Sequence, residues 1–366
     1  MNNINFLSKL KFILKRPKVV IVAGEGRACA AEAIRKVLRQ NKNKILIIET
    51  ELQKVDNLEF LIKKSSLPIL VVTHIGDIPF DRDFFAGPRE KTKEIIKLAK
   101  ILPTQGFLIL NFDDETVREI KDKNPSLTHI YTFGFQEGAD FRATDVKYQA
   151  PGGSEGRKED ETLFDLNTGI NFKINYKGNI VPIWLEKLFG KEQIYSALSA
   201  AGVGVIFDLN LVEISQSLKN YQSLPGKMRL IKGRNHSWIL DDSESASVSS
   251  MVEAIEILGK VQGFKRKIAV LGDVLGVGKY TIEAHETIGE KVVKAADLLF
   301  TFGLRAKFIA QGAYTRGMAL EKIFQFDIID DGKIRLQDEV KEGDLILVDG
   351  SKEMEMGKLV KEIKAP

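Results

Sequence analysis

The chain alternates between two hydrophobic rhythms. Short runs that are apolar almost throughout, such as KVVIVA at 18–23 and GFLILN at 106–111, are separated by stretches with apolar residues every three or four positions. The first rhythm fits strands buried on both faces, and the second fits amphipathic helices. Strands are expected at Lys18–Ala23, Lys44–Glu49, Pro68–Thr73, Gly106–Asn111 and Thr128–Phe133, with helices between them. Such alternation predicts an α/β fold with a doubly wound parallel sheet. Residues 139–184 read as β-hairpins (FRATDVKYQA, ETLFDL, INFKINYKG, NIVPIWL) around the polar loop PGGSEGRKEDE. A long helix from Lys191 to about Phe207 and a shorter one from Leu211 to Tyr221 follow.

The turn-forming stretch YQSLPG, Tyr221–Gly226, marks a domain boundary. Beyond it, strands at 229–232, 237–241, 267–272, 298–302, 323–327 and 345–349 alternate with helices near 247–261, 281–296, 305–316, 333–340 and 355–364. The expected organisation has three parts. A basic amphipathic segment covers 1–17. A central domain with a P-loop-like doubly wound parallel sheet and added β-hairpins covers 18–222. A Rossmann-like α/β domain covers 226–366.

Composition narrows the function. With 366 residues, 44% hydrophobic and 28% charged, the chain can bury two or three cores. A single cysteine excludes an internal disulfide and fits a reducing cytoplasm. No stretch reaches the roughly 18 apolar residues of a membrane-spanning helix. The net charge of +4 is uneven: residues 1–18 hold Lys9, Lys11, Lys15, Arg16 and Lys18 and no acid. The remainder is nearly neutral, which argues against nucleic acid as a partner. The basic segment also carries Leu10, Phe12, Ile13 and Leu14. Two readings stand: a helix lying on an anionic membrane surface, or one packed on the protein itself. The expected location is cytoplasmic, peripheral to the inner face of the membrane under the first reading.

The candidate chemistry begins at IVAGEGRACAAEAIRKVL, residues 21–38, where a strand enters a two-glycine turn and then a helix. Backbone N–H groups at Gly24–Ala28 could face an anion at that helix N-terminus. Arg27 brings a charge, though its planar fork is not a lysine point charge. A plain strand–turn–helix junction explains the same residues. Cys29 reads as a small packing residue.

Several pieces then fall in one order: GEGRACA, VVTHIGDIPFDRDFF, LPTQGFLILNFDDETV, TFGFQEGADFRATDV, GKEQIYSALSAAGVGV, LPGKMRLI, ILDDSESAS, IAVLGDVLGVGKYTIEAHETIG and LILVDGSKEMEMGKLV. Together they resemble the Mur ligase family over about 18–366, and most closely the branch that adds D-alanyl-D-alanine to the muramoyl tripeptide. The family's UDP-sugar domain has no counterpart in these pieces. The resemblance implies amide-bond formation: ATP phosphorylates a carboxylate, and an amine attacks the acyl phosphate, with Mg²⁺ as cofactor.

The resemblance also assigns positions, and many of them are altered. In the phosphate loop, T/S-G-x-x-G-K-T/S-T/S, Gly26 falls at the second glycine and Gly24 lies before it in a loop one residue short, but Arg27 stands at the lysine and Ala28 at the metal-binding hydroxyl. Glu49 falls at an acid near the metal. Asp81 and Asp83 fall at a histidine and an acid that help hold it, with Asp77 nearby; His74 receives no role. Ile95 stands where a lysine would be carbamylated, leaving Lys91, one turn earlier, as the substitute. Asp241, Asp242 and Ser243 keep a loop directed at the nucleotide, although Ser243, Ser245 or Ser247 also serves to cap the next helix. Asp273 and His285 match, Gly276 does not, and Asp349 and Glu355 replace two cations.

The scaffold matches while several separate steps of the chemistry are altered. The preferred expectation is a degenerate homologue in cell-wall precursor metabolism, with weak or no ligase activity. It would act by binding a nucleotide, a cell-wall precursor or a protein partner. The alternative is an active ATP- and Mg²⁺-dependent ligase using Arg27, Glu49, Asp81 or Asp83, and Lys91. A third reading is a scaffold at the membrane surface held by residues 1–18.

Overall fold

The run KVVIVA forms a strand, Lys18–Ala23 (β1), buried along nearly its whole length in a computed structural model of the chain. Residues 6–39, 45–50, 55–75, 87–122, 129–149, 168–244 and 246–366 are described. They fall into two compact units, one of residues 1–146, 171–185 and 191–222, the other of 147–170, 186–190 and 223–366.

In the first unit a helix Phe6–Lys15 (α1) precedes β1. Then come Arg27–Val37 (α2), Ile45–Thr50 (β2), Val55–Lys64 (α3), Leu67–Val72 (β3), Gly87–Lys100 (α4), Phe107–Asn111 (β4), Glu115–Asp122 (α5) and Ile130–Gly134 (β5). Phe141–Gln149 (β6), Gly169–Tyr176 (β7), Asn179–Glu186 (β8), Lys191–Ile206 (α6) and Leu211–Leu218 (α7) complete the series. The strand order is β2-β1-β3-β4-β5-β6-β7-β8. Pairing is parallel from β2 through β6.

Alternate residues of β1 serve opposite faces, as strand geometry requires. Val19, Ile21 and Ala23 join Leu58, Ile95 and Val117 of α3, α4 and α5. Val20 and Val22, equally buried, point to the opposite face. β6 lies between β5 and β7 in the sheet and pairs parallel to β5 through Phe133↔Phe141. Asp140 accounts for the fold-back, accepting the Thr132 N–H and hydroxyl at 2.7 Å each. β7 and β8 are neighbours joined by Lys177-Gly178, both at positive φ, as a two-residue hairpin turn requires. The expected strand ETLFDL lies outside the described residues.

The second unit carries Arg229–Lys232 (β9), Trp238–Asp242 (β10), Val248–Lys260 (α8), Arg266–Gly272 (β11), Thr281–Val292 (α9) and Leu298–Phe302 (β12). Lys307–Thr315 (α10), Ile323–Phe326 (β13), Ile329–Glu339 (α11), Asp344–Asp349 (β14) and Gly357–Ile363 (α12) follow. Its sheet runs β13-β12-β11-β14-β10-β9, parallel except for the edge strand β9. Residues of α8, α9 and α10 cover one face, and those of α11 and α12 the other. This is a Rossmann-like layout. Ser247 caps α8 in a reciprocal pair with Ser250. The segment 186–190 belongs to this unit although it precedes Tyr221 in sequence. Leu230 N–H donates to Lys187 O, and Phe189 N–H to Met228 O. Among the described residues no helix is long and apolar enough to cross a membrane.

Candidate functional site

The two-glycine turn sits at the C-terminal end of β1, where α/β sheets gather their sites. Gly24 has φ +105° and Gly26 φ +74°. A Cβ at Gly24 would meet Thr73 Oγ1 at 2.6 Å, so only glycine fits both the conformation and the space. The turn is drawn onto the residues after β3. Thr73 Oγ1 donates to Ala23 O at 3.0 Å, and the Glu25 N–H donates to His74 O. The Arg27 guanidinium folds back to donate to Gly24 O at 3.3 Å.

α2 then starts with Gly26 as its N-cap and no side-chain cap. The residue set against Gly26 is Glu192, in the first turn of α6: a Cβ on Gly26 would meet its Cγ at 3.1 Å and Oε1 at 3.5 Å. Glu192 Oε1 is buried without a hydrogen-bond partner. A carboxylate near a helix N-terminus is electrostatically favourable, for the same reason that a phosphate is.

Around this turn the first unit gathers more polar groups. His74 Nδ1 lies 2.8 Å from Asp114 Oδ2. Asp114 also accepts the N–H groups of Ile75, Thr116 and Val117, capping α5. Burial pushes the Asp114 carboxyl up, but the His74 hydrogen bond and the Ile75 and Val117 amides outweigh it, leaving the group below its ordinary range. Asp113 accepts from Phe135 N, Gln136 N and the Tyr195 hydroxyl. Beneath the turn, the buried Tyr221 hydroxyl donates to Gln193 Oε1 at 2.8 Å, and the Gln193 amide reaches Cys29 Sγ at 3.9 Å. Burial holds the Tyr221 phenol well above its ordinary range.

The other candidate residues are dispersed. Glu49 binds Arg35 at 2.7 Å on the edge strand β2. Asp81 and Asp83 lie outside the described residues, as does the Lys91 side chain, although the Lys91 backbone is helical in α4. Ile95 is fully buried in the core. Among the described residues no group of three or more His, Cys, Asp or Glu could hold a metal.

In the second unit Asp241 accepts the Gly226 N–H at 3.0 Å and the Ser243 hydroxyl at 2.7 Å, while Asp242 accepts the Met228 N–H at 3.1 Å. These buried residues anchor the 226–228 turn to β10. Asp273 accepts the N–H groups of Arg305 and Ala306 ahead of α10. His285 is fully buried: its Nδ1 lies 2.6 Å from Thr281 O and its Nε2 accepts the Val274 N–H. Burial lowers its pKa, so it stands as a neutral ring tying α9 to the loop after β11. Asp349 ends β14, between Asp242 of β10 and Leu271 of β11, and neither carboxyl oxygen has a hydrogen-bond partner. Burial holds this carboxyl well above its ordinary range, against the partial opposition of the Gly350 backbone N–H and the Lys227 charge.

Residues 226–352, which contain the whole span from β9 to β14, match the family described as "Mur ligase, glutamate ligase domain". The chain is Mur-ligase-like. It is 24% identical over 321 residues to the UDP-N-acetylmuramoyl-tripeptide–D-alanyl-D-alanine ligase of Bacillus subtilis (strain 168), a match covering 87% of this chain and 64% of the relative. The Mur-ligase-like chain thus spans less than two thirds of that relative's length. Its fold is similar to MurF from Acinetobacter baumannii, with a TM-score of 0.76, 17% identity, and coverage of 97% of this chain and 78% of that one. It is also similar to the MurF ligase of Thermotoga maritima in complex with ADP, with a TM-score of 0.72, 18% identity, and coverage of 97% and 81%.

Sequence reasoning missed Glu192 and the His74–Asp114 pair. Asp114 had a local signal, an acid just before a helix after β4. Glu192 had none, because it meets Gly26 only through the packing of α6 beside α2.

Proposed function

We propose that this Mur-ligase-like chain serves cell-wall precursor metabolism by binding, and that it does not carry out efficient ATP-dependent ligation. One observation carries the reading: the turn a nucleotide phosphate would enter is spanned by the protein's own groups. Arg27 is turned onto Gly24 O, the Glu25 N–H is used by His74 O, and the Glu192 carboxylate lies against Gly26. A magnesium–triphosphate does not fit these residues. Ala28 offers no metal ligand, and an anion would enter beside an anion. Charge-assisted hydrogen bonds are worth about 1.5–3 kcal/mol each, so losing a phosphate contact and a metal ligand together removes most useful affinity. The ligand is then a cell-wall precursor or a protein partner.

The active-ligase reading draws on the uncapped N-terminus of α2, which suits an anion. It requires Arg27 to turn to phosphate, Glu49 to leave Arg35 for the metal with Asp81 or Asp83, and Lys91 to replace the missing lysine.

Calorimetry of Mg-ATP and Mg-ADP with the wild type, Arg27→Ala and Glu192→Gln separates the two. No binding by the wild type at millimolar nucleotide is the expected result. Binding that appears only in Glu192→Gln would identify that carboxylate as the obstruction. Micromolar binding by the wild type, lost in Arg27→Ala, would overturn the proposal in favour of the ligase.

A further inference from the structure

Helix α1 shows its apolar stripe to the outside. Of the apolar residues in 9–15, Phe12 is the one turned inward, its ring 5.6 Å from Phe60 of α3. Lys9 lies on the same side, its ammonium 5.4 Å from the Phe60 ring. Leu10, Ile13 and Leu14 are 44%, 42% and 76% exposed. At about 100° per residue these three share one stripe, on the side nearly opposite Phe12. A helix docked on a soluble domain ordinarily buries such a stripe; α1 buries the other face.

The helix is also tied to the sheet. Arg16, at φ +40°, donates its N–H to Phe12 O at 2.8 Å, and Pro17 ends the helix directly before β1. Pro17 O accepts the Ser66 N–H at 3.2 Å. The outward stripe is therefore fixed to the first unit. Exposed Lys11 and Lys15 lie on one side of it, in a segment of 18 residues with five bases and no acid.

We propose that α1 is an interfacial anchor for an anionic lipid surface. Leu10, Ile13 and Leu14 enter the boundary between headgroups and acyl chains, while Lys11 and Lys15 meet lipid phosphates. The charge selects an anionic surface. Size argues against a protein partner: a ten-residue helix is about 15 Å long, and one stripe of it buries far less than the roughly 1,200–2,000 Å² of a stable protein interface. This inference is independent of whether the chain binds nucleotide.

The test is co-sedimentation of the full chain with vesicles of phosphatidylcholine alone and with roughly a third phosphatidylglycerol. The wild type should sediment with the anionic vesicles and not the neutral ones, and less at about 0.5 M than at about 0.1 M salt. The double variants Ile13→Glu/Leu14→Glu and Lys11→Glu/Lys15→Glu, all at exposed positions, should each lower partitioning about tenfold or more. No sedimentation with anionic vesicles overturns the proposal. So does undiminished sedimentation of both variants. A wild-type dimer that ignores vesicles and is dissociated by Leu14→Glu overturns it as well, assigning the stripe to a second copy.

Discussion

At the scale of single residues, the informative positions are those where burial acts on a titratable group. Asp349 stands where the family resemblance places a lysine, fully buried and without a hydrogen-bond partner. Its sign under titration follows from burial. The folded chain keeps a proton that the unfolded chain releases once pH passes about 3.9. Above that point the unfolded state binds fewer protons, so stability falls with rising pH until the folded carboxyl itself ionises. Asp349→Asn removes this slope. Urea unfolding across pH should show the variant close to wild type near pH 3 and more stable by over about 1 kcal/mol at pH 7. An unchanged pH slope would sink the assignment. The identity of Asp349 was plain in the sequence, but its isolation was not, because that depends on the strands that flank it.

At the scale of elements, much was legible. The strands of both sheets write themselves as apolar runs because both faces are covered, and that pattern alone bounds Lys18–Ala23. β6 lies within the run FRATDVKYQA, but its parallel pairing with β5 rests on Asp140 reaching Thr132, a contact that no periodicity encodes. Helical phase in α4 gives a further prediction. Ile95, at the position of the family's modified lysine, is packed in the cluster that contains Leu58, Leu61 and Leu98. Lys93 and Lys97, two residues to either side, are exposed. Ile95→Lys should therefore not restore ligation. It should lower stability by at least about 3 kcal/mol, because an ammonium would enter an apolar core. Unfolding midpoints and a ligation assay check this together. A stable variant with new turnover would show that α4 can rotate to present that position to a site.

At the scale of the whole molecule, the linear boundary at Tyr221–Gly226 and the compact units differ, because 147–170 and 186–190 also belong to the second unit. Residues 186–190 lie well before that boundary, yet they complete the second unit. Leu188 bridges Arg229 in antiparallel fashion, which covers the edge at β9 that would otherwise invite pairing with another chain. Phe189, 1% exposed, sits in the same cluster as Met228, Leu230, Met251 and Leu258, with Tyr148 stacked on it at 6.2 Å. The sequence hid this because a single apolar segment after β8 looks like the continuation of its own hairpin. Phe189→Ala should remove about 3–5 kcal/mol from the second unit, the usual cost of emptying a phenylalanine site in a packed core. Amide hydrogen exchange would locate the loss. Peptides covering β9, β10 and α8 should exchange faster, while β1, β3 and β4 keep their protection. Faster exchange confined to β1, β3 and β4 would assign Phe189 to the first unit instead. The expected pattern would mean that a fragment cut at residue 222 leaves behind part of the second unit's core, so no single cut in the chain divides the two units.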